Sequence, residues 1–175
     1  MQKLNSKKNK LQRGFTLLES MVAIAIFTMG ISTAVFVITQ SISVGTRTKN
    51  KIIAANLTQE GIEVVRNIRD RNWLAGRPWV DGIDALTNAC LQWNSDNVAG
   101  FFIDTGCISG ANLSFDGAHY VQTTSPAQFS RTVDTQHFLD NEPNPGDIER
   151  VRISVITTCG ANCSVTAEDY LYNWK

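Results

Sequence analysis

Residues 15–40 read FTLLESMVAIAIFTMGISTAVFVITQ, and this stretch decides how the rest of the chain is organised. Its only formal charge is Glu19, and the next charged residue along the chain is Arg47. A helix of about 20 apolar residues is long enough to cross the hydrocarbon core of a bilayer. An unpaired carboxylate in such a segment is costly and usually marks function. The stretch therefore predicts a membrane-spanning helix in which Glu19 has a specific role.

A specific motif leads into this apolar stretch. Arg13 and Gly14 are followed directly by FTLLES, and the residues before them are polar and basic. This arrangement closely resembles the prepilin N-terminus of type IV pilins and type II secretion pseudopilins. The resemblance implies that a membrane peptidase cuts after Gly14 and methylates the new amine of Phe15. It also implies that Glu19, the fifth residue of the processed chain, acts in subunit assembly.

The leader, residues 1–14, contains five lysine and arginine residues and no acidic residue. Positive charge before an apolar segment stays in the cytoplasm, so the C-terminal part is expected outside. A conventional secretory signal peptide is the alternative, but this apolar run is longer, and no small-residue cleavage site clearly ends it. Without the leader the chain keeps 11 basic against 16 acidic groups, a net charge near −5. Such a chain is a poor partner for nucleic acid, and none is predicted.

The helical pattern continues beyond the apolar stretch. Apolar or small residues recur there every three or four positions, as expected for one face of an amphipathic helix. They are Ile53, Leu57, Gly61, Val65 and Ile68. The prediction is one helix over residues 15–70, with 15–40 as the transmembrane or filament-core part and 41–70 as its amphipathic continuation. Because glycine costs about 1 kcal/mol against alanine inside a helix, either something packs closely at position 61 or the helix bends.

The remainder predicts a connector and a sheet. Residues 71–117 contain glycines and a proline that end helices, with Trp73 and Trp79 expected to pack on the helix stripe. Residues 118–175 are rich in β-branched and aromatic residues, and Val151, Ile153 and Val155 alternate with polar residues. The predicted fold is therefore α+β and pilin-like. A long N-terminal membrane-spanning helix is followed by a connector and a C-terminal antiparallel β-sheet.

Four cysteines in a chain that leaves the cytoplasm suggest disulfides, with three possible connectivities. Cys159 and Cys163 flank a three-residue loop in a predicted hairpin, where they would face each other at the separation that a disulfide prefers. Cys90–Cys107 then follows mainly by elimination, and its connectivity stays open. A four-cysteine zinc site is disfavoured because the gaps between Cys90, Cys107 and Cys159 are too long for paired short spacings.

Other chemistry is weakly indicated. The histidines are His119 and His137, and Asp134 and Asp140 lie near the second of them. A hydrolase triad with an upstream serine could be drawn, but no nucleophile motif supports it, so surface histidines are expected. The acidic loop at residues 140–149 could bind calcium through oxygen ligands, yet it does not match the EF-hand pattern. We predict no catalytic site, no metal site and no cofactor.

The expected function is that of a structural subunit, not an enzyme. The resemblance implies a minor pilin of the type IV pilus modification type, held first in the cytoplasmic membrane with its C-terminal domain outside and then assembled into a pilus. It implies four partners: other pilin subunits, the prepilin peptidase and N-methyltransferase, an inner-membrane assembly platform, and membrane lipid before assembly. The alternatives are a type II secretion pseudopilin and a membrane-tethered extracellular binding domain or enzyme.

Overall fold

The structure is a computed structural model that describes residues 15–93, 101–104, 107, 111–138 and 149–173. The chain divides into two compact units, Met1–Thr46 and Arg47–Lys175. One helix contributes to both units, and the strands belong to the second unit. The hydrophobic core lies in the second unit.

Helix α1 spans Leu17–Leu74, a single helix over nearly the range that the sequence predicts. Thr16 precedes the first turn, and its backbone carbonyl accepts a hydrogen bond from Ser20 N at 3.2 Å. At the other end Gly76 adopts a positive φ of 68° and donates to Trp73 O at 3.0 Å. Glycine tolerates this left-handed conformation, so position 76 is a suitable place to end the helix.

The stripe predicted on the second half of α1 is confirmed. Leu57, Gly61, Val65 and Ile68 are buried, and Ile53 is half-buried. This face lies on the sheet, because a helix with one apolar stripe buries that stripe against a neighbouring layer.

The strands form two sheets. The strands are β1 (Cys90–Trp93), β2 (Phe101–Asp104), β3 (Asn112–Phe115), β4 (Tyr120–Thr123), β5 (Phe129–Phe138), β6 (Arg150–Thr158) and β7 (Ser164–Tyr172). Strands β1 and β2 make an antiparallel hairpin, and the other five form one antiparallel sheet in the order β4-β3-β5-β6-β7. This is the α+β, pilin-like arrangement that the sequence predicts.

The sheet begins earlier in the chain than expected. Strand β3 lies inside the segment 71–117 that was read as connector, so the connector ends before Asn112. The β3–β4 turn is set by Asp116, whose Oδ1 accepts from the backbone N–H groups of Ala118 and His119, both at 2.9 Å. Gly117 supplies the positive φ of 107° that the turn requires. An Asp-Gly pair between two strand-like runs is a hairpin signal that the sequence analysis missed.

The interior strand β6 follows the predicted alternation. Val151, Ile153 and Val155 are fully buried, while the residues between them are partly exposed on the other face. Trp79 is also buried in this core and Trp73 packs against it, as the sequence predicts. A single buried face of β6 thus meets the apolar stripe of α1, which is how two amphipathic layers form one core.

Gly61 is the point of closest approach between helix and sheet. A Cβ placed on Gly61 would lie 2.8 Å from Val155 Cγ1 and 3.4 Å from both Leu91 Cδ1 and Arg131 Cδ. Carbon atoms in contact normally stay about 3.5–4.0 Å apart. Of the two explanations for this glycine, close packing is therefore the one confirmed.

A buried arginine lies beside this contact. Arg131 in β5 is 2% exposed, and its Nη1 donates to Leu57 O at 2.9 Å and lies 3.4 Å from Glu60 Oε2. Burial lowers the pKa of its guanidinium group, and the nearby Glu60 opposes that shift. Because a charged group in the interior is costly unless it is paired, these contacts tie one turn of α1 to the middle of the sheet.

Both disulfides lie in the second unit. Cys90 is joined to Cys107 with a Cα separation of 5.1 Å, and Cys159 is joined to Cys163 with a separation of 5.0 Å. Cys159 N also donates to Cys163 O at 2.8 Å, so the second bond closes the β6–β7 hairpin. These are the two pairings named from the sequence.

Candidate functional site

The residues singled out for processing and assembly lie at the start of α1. Gly14 is outside the described residues; Phe15 is the first of them and its side chain is 73% exposed. Thr16 Oγ1 accepts from Glu19 N at 3.3 Å, which makes Thr16 the N-cap of the helix. A threonine followed three residues later by a glutamate matches the capping-box spacing.

The segment that follows, residues 21–49, presents a large apolar surface. Every residue from 21 to 49 is exposed, including large apolar side chains such as Ile24, Phe27, Met29 and Phe36. In the part of the chain that is described, α1 is the one helix long and apolar enough to span a membrane, with a best-window mean hydropathy of 2.4. Apolar area of this extent is not stable in water, so lipid or other protein must cover it.

The hydroxyl groups within this segment are satisfied by the helix itself. They donate to backbone carbonyls one turn earlier: Thr28 to Ala25 O at 2.9 Å, Ser32 to Thr28 O at 2.8 Å and Thr33 to Met29 O at 2.9 Å. Such groups can enter hydrocarbon without losing a hydrogen bond. The carboxylate of Glu19 differs, because it carries a charge and forms no ion pair with any residue that the structure describes.

One face of this segment is shaped for helix packing. A shallow, open apolar groove is lined by Ala23, Ile26, Phe27, Gly30, Ile31 and Ala34. The small side chains at positions 23, 30 and 34 allow another helix backbone to come close, which is how helices associate in lipid. Nothing lies within 4 Å of a Cβ placed on Gly30, so the groove is open there.

The surface position expected of the two histidines is confirmed for His119, which is exposed, and is wrong for His137. His137 is half-buried and not a surface residue; its Nδ1 lies 3.3 Å from Asp84 Oδ1 and its Nε2 lies 2.9 Å from Glu149 Oε1, without a well-directed hydrogen bond at the second contact. Glu149 Oε2 also accepts from Trp79 Nε1 at 2.7 Å. Asp134 instead accepts from a backbone N–H of the connector. The carboxylates that reach this imidazole come from distant segments, which no local pattern indicates.

These contacts do not assemble a catalytic or metal site within the described ranges. Ser130 Oγ shares its hydrogen bond with Thr158 Oγ1 at 2.7 Å and not with a histidine, and Asp140 lies outside those ranges. No group of three or more histidine, cysteine or acidic side chains in the described ranges could hold a metal ion. Of the acidic loop at residues 140–149 that was considered for calcium, only Glu149 is described. Its carboxylate accepts from Trp79 and lies beside His137.

Comparison with known proteins identifies the N-terminal segment. Residues 9–35 match the family described as the prokaryotic N-terminal methylation motif, which is the prepilin-type motif of type IV pilins and pseudopilins. The resemblance inferred from the sequence is thereby confirmed. No curated protein and no solved structure matches the chain. Together with the long apolar helix and the antiparallel sheet, this short N-terminal match supports a type IV pilin-like or pseudopilin-like protein.

The motif carries two further implications. It implies processing by prepilin peptidase and assembly with other pilins. It also fits, together with the exposed apolar helix, a protein anchored by a single membrane pass.

Proposed function

We propose that this chain is a minor pilin-like structural subunit of a type IV pilus or a related filament. The observation that carries the proposal is the isolated charge of Glu19. It is the only formal charge in an exposed apolar segment, within a prepilin motif, and it has no ion-pair partner in the described part of the chain. An ordinary anchor has no need of such a group, because an unpaired charge in lipid is unfavourable.

The first step proposed is processing after Gly14 and N-methylation of Phe15. Cleavage leaves Phe15 as the first residue, one position before the N-cap Thr16. The new amine is then a cation at the membrane boundary, and methylation keeps its charge. Edman sequencing of protein from cells that contain the peptidase should begin at Phe15. An intact Met1, or a start beyond residue 35, would contradict this step.

The second step proposed is pairing between Glu19 and the Phe15 amine of a neighbouring subunit. The helix dipole favours a carboxylate near the start of α1, but it does not neutralise the charge. In a water-poor filament core, pairing relieves two buried charges at once. A neighbour displaced along the axis would leave both charges unmatched, so the pair defines the stagger between subunits.

The other surfaces of the segment support the same assembly. The groove that contains Ala23 and Gly30 accepts a neighbouring helix, while lipid covers the apolar side chains before assembly. An inner-membrane platform would extract the processed subunit, with the sheet domain outside the cytoplasm. In this proposal the protein is structural and catalyses no reaction.

The test compares three variants of the full chain. Glu19→Leu removes the charge and the hydrogen-bonding capacity of the side chain, whereas Glu19→Gln removes only the charge. Glu63→Leu is the matched control, because Glu63 is an exposed carboxylate on the same helix, paired with Arg66. Filaments sheared from cells and membranes are compared by immunoblot. We expect both Glu19 variants to be cleaved and membrane-bound but absent from filaments, while the control is incorporated. Wild-type incorporation of Glu19→Gln would refute the pairing.

A type II secretion pseudopilin is the second candidate, because the matched motif is shared by both classes. Deleting the gene distinguishes the pilus subunit from the pseudopilin. Loss of surface pili with normal secretion supports the pilus subunit, whereas loss of a secreted enzyme with normal pili supports the pseudopilin. A tethered domain is a third class, and it predicts that Glu19→Leu is functional.

A further inference from the structure

Strand β7 (Ser164–Tyr172) is the outer strand of the five-stranded sheet, and no other strand of the described chain pairs with its outer side. It pairs with β6 over nine consecutive residues, from Thr158↔Ser164 to Arg150↔Tyr172, without a slip in register. The strand is therefore long, regular and free of bulges. The opposite edge strand, β4, has only four residues.

The register shows which backbone groups of β7 are free. Cys159 N donates to Cys163 O at 2.8 Å, and Asn173 N donates to Glu149 O at 3.2 Å, so hydrogen-bonded pairs stand just beyond both ends of the ladder. In an antiparallel pair such positions alternate with non-hydrogen-bonded ones. The groups directed toward β6 are those of Val165, Ala167, Asp169 and Leu171. The groups directed outward are those of Ser164, Thr166, Glu168, Tyr170 and Tyr172.

Proteins usually block such an edge with proline, a bulge or charged side chains. Strand β7 contains no proline, and its register has no bulge. Of its two acidic residues, Asp169 is held by Arg66 of the helix at 2.7 Å. Glu168 is exposed on the outer face and forms no ion pair with another described residue. The carboxylate of Glu168 is thus the main barrier to strand addition. The arginines of the same face, Arg150 and Arg152, belong to β6 and lie one strand further from an added strand, so the position directly opposite Glu168 favours positive charge.

The outer face beside this edge resembles a binding surface. Tyr170 and Tyr172 are 43% and 42% exposed and share the face of Glu168. Arg152, cross-strand from Tyr170, has its guanidinium 6.0 Å from the ring centroid of Phe138. Tyrosine and arginine dominate binding energy at protein interfaces, because they bury large areas and keep a polar group at the rim.

We propose that the outer edge of β7 is a docking site for an extended segment of a partner protein, added as a further strand of the sheet. The segment would place a lysine or arginine opposite Glu168 and β-branched or aromatic residues opposite Thr166 and Tyr170, since cross-strand pairs of these kinds stabilise a sheet. A second copy of β7 centred on the same position would set Glu168 against Glu168, and the processed chain is already net acidic. The occupant is therefore a basic segment of a different protein. This inference does not depend on which filament the chain joins.

The probe is a capped synthetic peptide of the length of β7 that alternates threonine and valine and has lysine at its centre. Because Glu168 is the central residue of β7, the lysine lies opposite it in either strand direction. The full chain in detergent micelles is mixed with saturating peptide, and amide hydrogen exchange is followed residue by residue. At about 90% occupancy, exchange at Thr166, Glu168 and Tyr170 should slow about tenfold, with no change at Ala167 or Asp169. Unchanged outward amides, or outward amides already protected without peptide, would overturn the proposal.

Two variants distinguish specific docking at β7 from non-specific peptide binding. Glu168→Lys should lower the affinity for the lysine peptide about threefold, because an opposite-charge pair becomes a like-charge pair. It should raise the affinity for a matched peptide with central glutamate by about the same factor, because there a like-charge pair becomes an opposite-charge pair. Thr166→Pro removes an outward N–H without removing a bond to β6, so it should abolish protection while the β6–β7 amides stay slow. Equal binding of both peptides to wild type and to Glu168→Lys would contradict the proposed selectivity. Retained protection in Thr166→Pro would contradict strand addition.

Discussion

Replacement of Gly61 by alanine tests how closely the helix and sheet are packed. Two opposing effects act at this position. Alanine should favour the helix by about 1 kcal/mol, since glycine is the poorer helix former. The new methyl would stand 2.8 Å from Val155 Cγ1, which is closer than carbon atoms approach each other.

The second effect should be the larger. Val155 is fully buried on the interior strand β6, which pairs with β5 and β7 on its two sides. A β-branched side chain is restricted at χ1, so the methyl of Val155 cannot turn away without cost, and the strand cannot retreat without disturbing two ladders. Overpacking of this kind costs about 1–3 kcal/mol. Because the helix gain of about 1 kcal/mol offsets part of this cost, we expect a net decrease of up to about 2 kcal/mol in the free energy of unfolding.

The assay is urea unfolding of the full chain in detergent, followed by tryptophan fluorescence, because the buried Trp79 reports the second unit. A double-mutant cycle with Val155→Ala identifies the cause. Removing the methyl that obstructs the new side chain should make Gly61→Ala less harmful, with a coupling of about 1 kcal/mol. A Gly61→Ala variant more stable than wild type by about 1 kcal/mol, the gain expected from helix propensity alone, would refute the reasoning, as would effects that add within about 0.5 kcal/mol.

Three further predictions concern the same unit. Arg131→Met should change the free energy of unfolding by less than about 1 kcal/mol, whereas Arg131→Ala should lower it by about 2–4 kcal/mol, because only alanine leaves a cavity in place of a buried charge. Urea titration distinguishes the two. Removing Cys159–Cys163 by double alanine substitution should cost about 2 kcal/mol, about 1 kcal/mol less than removing the other disulfide, since the sequence separations are 4 and 17. Equal shifts of the urea unfolding midpoint in the two disulfide variants would contradict this. Backbone hydrogen bonds, first that from His119, hold the pKa of Asp116 below its ordinary value of 3.8. Its contribution to stability is therefore complete above that value and is lost as the pH falls through the lowered pKa. An NMR titration midpoint at or above 3.8 would disprove it.

The sequence alone determined the features that depend on neighbours along the chain. The apolar run with its single charge at Glu19 predicted the exposed helix, and the leader with Gly14 and Phe15 predicted the motif that the comparison found. The recurrence of Leu57 and Val65 predicted the buried stripe. Periods of 3.6 and 2 residues are imposed by backbone geometry, so these patterns can be read before the chain folds.

Only the tertiary structure decided the features that depend on distant segments. Strand β3 is too short to show a period, and pairing with strands on both sides defines it. Gly61 is explained by Val155, and His137 by Asp84 and Glu149. In each case the interacting groups come from segments far apart in the chain. Because contacts of this kind form only when the layers pack, local propensity and spacing do not identify the partners, and the geometry of the folded core decides which residues meet.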